Sequence, residues 1–373
     1  MLKTTNIESL PDEIIFDILV RVPAQDIYDA TRLVCRKWYK IIHTRDFIRA
    51  HLQQSTCGLL AQYLAFKKPQ LTFIATGKGQ IEISKLNHQF RRAVSSCNGL
   101  VLEPHDNHRD LHITNPATKQ HFALPPFLAD VVPYWYAIAY AATSMEYKVV
   151  RPFFHSDVIL GSRKFESQDD CVAILTAGVD KDWTRCVNTQ HLSDAAKELL
   201  GQCTLTTEGF VHWTRVNYSD IFTLNVETEV ITQSRVPSLQ HDDKRLRYYY
   251  LAMGSYLSLL IAHSYWSWEV WEMRPETGEW THMPNIDVEP QKVLRHLSFK
   301  LNPYVASSCW LVPVGWSNFR EVLVFQVDVD IGTPQRFHIA YNVRTQEIDS
   351  IGLDFNISSF LVHRNSLVWL DGW

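Results

Sequence analysis

From Glu8 to about Gln54, apolar residues recur at the spacing of an amphipathic helix: Ile14, Ile15, Ile18, Leu19 and Val22 in one stretch, then Ile27, Thr31, Val34, Trp38, Ile41 and Ile42 in the next. Two helices are predicted, separated at Pro23, whose fixed φ and missing N–H end the first and can open the second. Ser9, three residues before Asp12 with Pro11 between them, reads as the cap of the first helix. Asp12, Glu13 and Asp17 crowd its start, while Arg36, Lys37 and Lys40 crowd the end of the second, as the helix dipoles favour. A shorter third helix is predicted over 46–53. Beyond residue 55 the period shortens to two, in segments such as 59–66, 99–103, 171–178, 209–216 and 321–330, so strands are predicted to the end of the chain. One helical insertion stands out among them, at 191–200, where Ser193 caps DAAKELL and Gly201 stops it.

The strand region also repeats itself. NPATK at 115–119 leads to Leu124-Pro125, NVETE at 225–229 to Val236-Pro237, RPETGEW at 274–280 to Met283-Pro284, and NVRTQ at 342–346 to Ile351-Gly352. Each reads as strand, turn and returning strand, with Asn or Pro opening the turn and a terminal Pro stopping the return. The intervals between copies fit multiples of a unit of roughly 50 residues with insertions, the length of a blade of four antiparallel strands, and the chain beyond residue 55 holds about six such units. The expected fold class is therefore α+β multidomain: a small N-terminal helical module (1–54, core 8–48), connecting strands over 55–94, and an all-β propeller-like domain over 95–373. Closure removes a sheet edge, so the last strand, around Ser366–Leu370, is expected to pair back into the ring. A sandwich array is the other architecture open to such strands.

Composition sharpens this picture. At 46% hydrophobic and 20% charged, the chain is too apolar for disorder, and its 45 aromatic residues suit strands. A net charge of −4 argues against a nucleic-acid partner, and with no run of about 18 apolar residues and no secretory leader, an intracellular protein without a membrane partner is expected. The seven cysteines are scattered without a C-x-x-C pair and read as reduced thiols. Gly77-Lys78-Gly79 lacks the frame of a phosphate loop and reads as a hairpin turn. The His105–His112 run is a candidate metal cluster in a turn with no partner ligand, so no metal is expected. Trp266, Trp268 and Trp271 are an aromatic platform or, more simply, core between sheets; the basic and aromatic run 241–250 reads as a strand after a charged loop.

The residues themselves resemble a family. Leu10–Leu19 (LPDEIIFDIL), Val22-Pro23, Ile27 and Leu33–Trp38 (LVCRKW) follow the spacing of an F-box, with Val22 and Ile27 where leucine is usual. Downstream, SCNGLV at 96–101, NPATK, YKVV at 147–150, WEVW at 268–271 with Trp280, and Ser366–Val368 resemble the F-box-associated, kelch-like β-propeller region of the large plant F-box family. The resemblance covers nearly the whole chain. It implies the substrate-recognition subunit of an SCF-type (Skp–cullin–F-box) ubiquitin ligase, which holds a Skp-type adaptor, and through it a cullin, while the propeller selects a protein for ubiquitination and proteasomal degradation. It implies no catalysis on this chain and no cofactor. The adaptor-binding residues would be Leu10, Pro11, Ile14, Ile18, Leu19, Val22, Pro23, Ile27, Val34 and Trp38, an apolar excess that a module of this size cannot bury internally. The alternative is a lectin-like propeller binding module, or an enzyme unconnected with ubiquitination, whose helical preface mediates oligomerisation.

Overall fold

The computed structural model describes residues 10–63, 71–77, 80–86, 92–104, 110–126, 135–153, 171–183, 185–201, 204–215, 219–237, 246–297, 308–330, 332, 334–353 and 357–370. The helical module holds α1 (Asp12–Leu19), α2 (Ala24–Asp29), a single 3-10 turn (Thr31–Leu33), α3 (Arg36–Ile42) and α4 (Arg45–Gln54). The second helix expected from the sequence is thus broken in two. Ala30 leaves helical geometry, and Cys35 is fully extended at φ −160°. Periodicity could not show the break, because a helix interrupted by one 3-10 turn keeps the same three- and four-residue spacing of apolar side chains. The charge argument falls with it: Arg36 and Lys37 open α3 instead of closing a longer helix, and only Lys40 lies in its last turn. α1 begins at the N-cap Pro11 with no side-chain cap; Ser9 lies outside the described residues.

The described residues beyond the module form six four-stranded antiparallel sheets, the blades of a propeller. Blade 1 is β1 (Cys57–Tyr63), β2 (Leu71–Gly77) and β3 (Gln80–Leu86), completed on its inner side by the last strand, β24 (Ile357–Arg364). Blade 2 comprises β4 (Ser95–Cys97), β5 (Leu100–Pro104), β6 (Leu111–Asn115) and β7 (Gln120–Ala123). Blade 3 comprises β8 (Ala137–Ala141), β9 (Glu146–Phe153), β10 (Cys171–Thr176) and β11 (Arg185–Asn188), followed by α5 (Asp194–Leu200). Blade 4 is β12 (Thr204–Thr207), β13 (Phe210–Trp213), β14 (Asp220–Asn225) and β15 (Val230–Arg235). Blade 5 is β16 (Arg247–Met253), β17 (Tyr256–Ala262), β18 (Ser267–Met273) and β19 (Trp280–Asp287), followed by α6 (Pro290–His296). Blade 6 is β20 (Cys309–Asn318), β21 (Val322–Asp330), β22 (Pro334–Asn342) and β23 (Ile348–Ile351). The inner strands β4, β8, β12, β16, β20 and β24 lie against one another in turn, and β24 meets β4 to close the ring.

Two expectations about closure are corrected. The strands of 55–94 do not merely lead into the propeller; they are three of the four strands of blade 1. The pairing strand is β24, not Ser366–Leu370, with Cys57 opposite Arg364 and Leu60 opposite Leu361. α6 was not foreseen, although Pro290 sits in its first turn as such a helix favours. α5 was, and Ser193 Oγ accepts from the Ala196 N–H at 3.2 Å.

One apolar cluster separates each pair of neighbouring blades, so strands such as β1, β13 and β17 bury both faces while outer strands such as β3 and β7 are largely exposed. Leu59 and Ala61 face blade 6 while Leu60 faces blade 2. Trp266 and Trp268 pack between blades 5 and 6, and Trp271 between blades 4 and 5, which makes them core. The repeated sequence unit is the turn from the third to the fourth strand. Asn115, Asn225 and Asn342 each accept two backbone N–H groups through Oδ1, and the fourth residue after each (Lys119, Glu229, Gln346) has positive φ; Gly278 takes that place after Arg274. Pro284, expected to end its strand, lies inside β19 at a register shift, where an outer strand needs no N–H from it.

Candidate functional site

The helical module has its own core. Ile15, Leu19, Ile27, Ile42 and Phe47 are buried together, with Phe16 edge-on to Phe47 at 5.2 Å. α3 is tied to the start of α1 because the Lys37 ammonium donates to the Leu10 carbonyl at 2.6 Å and reaches Asp12 at 2.7 Å. The guanidinium of Arg32 stacks on the Tyr28 ring at 3.9 Å, holding the 3-10 turn against α2.

With that core filled, several large apolar side chains are left outside it. Ile14 and Ile18, one helical turn apart on α1, are 46% and 48% exposed. Leu33 and Val34, on the 3-10 turn and its end, are 71% and 53% exposed, and Tyr39 on α3 is 49% exposed. These are five of the ten large exposed hydrophobic residues among those described, in a module far smaller than the propeller, so the apolar excess is concentrated here.

The ten residues named from the sequence divide into three groups. Pro11, Ile14, Ile18, Pro23 and Val34 are exposed. Leu10, Val22 and Trp38 are half-buried against the helical core and can reach both ways. Leu19 and Ile27 are buried within it, so they hold the surface in place and are not part of it. Leu33 and Tyr39 were missed as surface residues. Leu33 lies off the stripe of Ile27, Thr31, Val34 and Trp38, so periodicity does not single it out.

The module sits where the ring is closed. β1 starts and β24 ends at the same rim, so the helices and the C-terminal tail must leave the propeller side by side. Ile48 and Leu52 of α4 pack on the cluster between blades 2 and 3, which also holds Val368 and Trp369 of the tail. Leu367 and Ala117 join the helical core instead. Asn115 Nδ2 donates to the Ser366 and Val368 carbonyls at 3.0 and 2.6 Å, and Ser366 Oγ donates to the Asn98 carbonyl at 2.6 Å. Lys119 pairs with Asp29 at 2.7 Å, and this hydrogen bond, with that of Gln25, holds the Asp29 carboxyl below its ordinary pKa. His51 donates through Nε2 to the Val22 carbonyl at 3.0 Å, and burial lowers its pKa.

A cleft of about 510 Å³ opens between the end of α4 and the hairpin turns of blades 2 to 5. Three of its charged groups are engaged in structure: the Glu227 carboxylate accepts the Thr143 N–H at 2.8 Å, and Arg364 faces Glu208 at 3.5 Å. A small pocket of about 60 Å³ lies among the inner strands, lined by Ser95, Thr204, Leu205, Thr206, Val314 and Phe360 among others. Among the described residues no group of three or more His, Cys, Asp and Glu is placed to hold a metal ion, and no helix is long and apolar enough to cross a membrane. Residues 105–109 of the histidine run and 241–245 of the basic run lie outside the described residues. β2 and β3 pair antiparallel with Gly77 opposite Gln80, while Lys78 and Gly79 lie outside the described residues.

Residues 7–53 match the family model of the F-box-like domain. A search of curated proteins finds no match. Among solved structures, a chain of a nidogen/laminin complex is similar at a TM-score of 0.42 and 10% identity, over 82% of this chain and 98% of that one. The periplasmic gluconolactonase of Pseudomonas aeruginosa is similar at 0.37 and 11%, over 84% and 99%. The β-propeller domain of Vanderwaltozyma polyspora Nup133 is similar at 0.35 and 11%, over 69% and 66%.

Proposed function

We propose that this chain is the substrate-recognition subunit of an SCF-type ubiquitin ligase, of the kind found in the plant F-box family, working inside the cell and carrying out no catalysis itself. The observation that carries the reading is the exposure of Ile14, Ile18, Leu33 and Val34 on a module that matches the F-box-like domain. A Skp-type adaptor would cover these side chains by taking the helices into an apolar groove, and a cullin would follow through the adaptor. The propeller would hold the target protein near the charged ubiquitin donor, which raises effective concentration and requires no bond chemistry from this chain.

Burying an Ile side chain contributes about 1.5–3 kcal/mol. The double variant Ile14→Asp with Ile18→Asp removes two such contributions and sets two charges against an apolar groove, so adaptor affinity should fall by at least about 100-fold. Both side chains are exposed, so the variant should fold as the parent does. Copurification with a Skp-type adaptor measures the effect, and adaptor binding at parental strength would dismiss the assignment. Leu33→Asp should act in the same direction, whereas a surface that matters only to folding would show no such loss.

A further inference from the structure

Strands β10 and β11 pair antiparallel, with Cys171 opposite Asn188 and Ala173 opposite Cys186. The two cysteines are therefore diagonal neighbours on one face of blade 3. Their side chains lean together until the sulfurs are 2.8 Å apart, closer than unbonded sulfurs ordinarily rest and less than 1 Å beyond the roughly 2.05 Å of a disulfide bond. Accessibility is divided between them: Cys171 is buried, while Cys186 is exposed. The strands cannot easily drift apart, because the turn joining them is clamped. Asp180 Oδ2 accepts the Thr176 N–H at 2.6 Å and pairs with Arg185 at 3.0 Å, and Arg185 reaches on to Glu229 at 2.9 Å.

We propose that Cys171 and Cys186 form a modification site, a dithiol that hydrogen peroxide converts to an intramolecular disulfide. Cys186, reached from solvent, attacks one peroxide oxygen as its thiolate; the O–O bond breaks, hydroxide leaves and takes up the thiol proton as water, and a sulfenic acid remains. The Cys171 sulfur then attacks the Cys186 sulfur, and its proton leaves with the displaced hydroxide as a second water. The two thiols lose two electrons and the peroxide gains them. The hydrogen bond from Cys171 lowers the pKa of Cys186, which favours the first step. The setting differs from that of three other cysteines, because burial pushes Cys57 up to about 11 and Cys97 and Cys309 up to about 12.

The test uses the full chain, fully reduced, then exposed to one or two equivalents of hydrogen peroxide and alkylated before digestion and mass spectrometry. The peptides carrying Cys171 and Cys186 should be recovered joined, two hydrogens lighter, and should separate on reduction. Before oxidation, Cys186 should alkylate at least about tenfold faster than Cys97 or Cys309. In Cys186→Ser, an exposed and conservative change, Cys171 should stay a thiol at the same dose. In Cys171→Ser, Cys186 should proceed to sulfinic acid for want of a resolving thiol. Recovery of parental Cys186 as sulfinic acid beside unmodified Cys171 overturns the proposal. So does oxidation of Cys35 ahead of both, or a dimer linked through Cys186 on a non-reducing gel.

Discussion

Gly99 shows how one residue can be fixed by two constraints at once. It follows Asn98 in a turn where both have positive φ, 51° and 95°, and a Cβ placed on it would stand 2.3 Å from Ser366 Oγ. Gly332 has nearly the same φ, 94°, but nothing within 4 Å of its Cβ position. Gly332→Ala should therefore cost only the backbone strain, about 1 kcal/mol, while Gly99→Ala should cost clearly more because the C-terminal tail must also move. Denaturation midpoints compare the two, and equal losses would mean that the tail contact has no energetic weight. The buried histidines make a second residue-scale case. Burial holds His212 and His363 down at about 3 and His338 at about 4, against an ordinary value of 6.5. The unfolded chain then binds more protons than the folded one below pH 6.5. The stability these residues confer is thus complete above pH 6.5 and is lost as pH falls from there toward 3, by up to about 1.4 kcal/mol per pH unit for each. Unfolding midpoints measured from pH 7.5 to 4.5 should show that slope, and His212→Gln should reduce it.

At the scale of elements, the same Asn turn does different work in different blades. In blades 4 and 6 the asparagine serves its own hairpin, accepting N–H groups from Glu227 and Thr228 or from Arg344 and Thr345. In blade 2, Asn115 also gives its amide hydrogens to the tail carbonyls of Ser366 and Val368 and is completely buried. Asn342→Ala should cost about 1 kcal/mol, and Asn115→Ala about 2–4 kcal/mol because two buried carbonyls lose their donor. Thermal unfolding of the two variants checks this, and similar losses would show that the tail is held by apolar packing alone. The turns were legible as a sequence repeat because their chemistry is local. That one copy had been put to a tertiary use was not, since its partners lie some 250 residues away in the chain.

For the whole molecule, closure and mounting of the helical module are separable. Ending the chain after residue 353 removes β24, leaves β1 without its inner partner and breaks contact with β4 and β20, so cooperative unfolding should be lost. Ending it after Arg364 keeps the ring but deletes Leu367 from the helical core and Val368 and Trp369 from the cluster beneath α4. That shorter deletion should leave a folded propeller with a loosened helical module, read by limited proteolysis between residues 54 and 57. A parental digestion pattern would mean that α4 alone seats the helices.

Local chemistry is what the sequence settled: the helical and two-residue periods, the Ser193 cap, the Asn turns, and the run from Leu10 to Trp38 that marks the module. Each depends on residues within a few positions of one another, where spacing and side-chain type suffice. Long-range contact decided the rest. Which strand closes blade 1 depended on pairing across 300 residues. The break between α2 and α3 keeps the apolar spacing of an intact helix, so only the fold shows Val34 exposed while Ile27 of the same stripe is buried. Cys171 and Cys186 are strangers in the sequence, and only the register of β10 against β11 brings their sulfurs together.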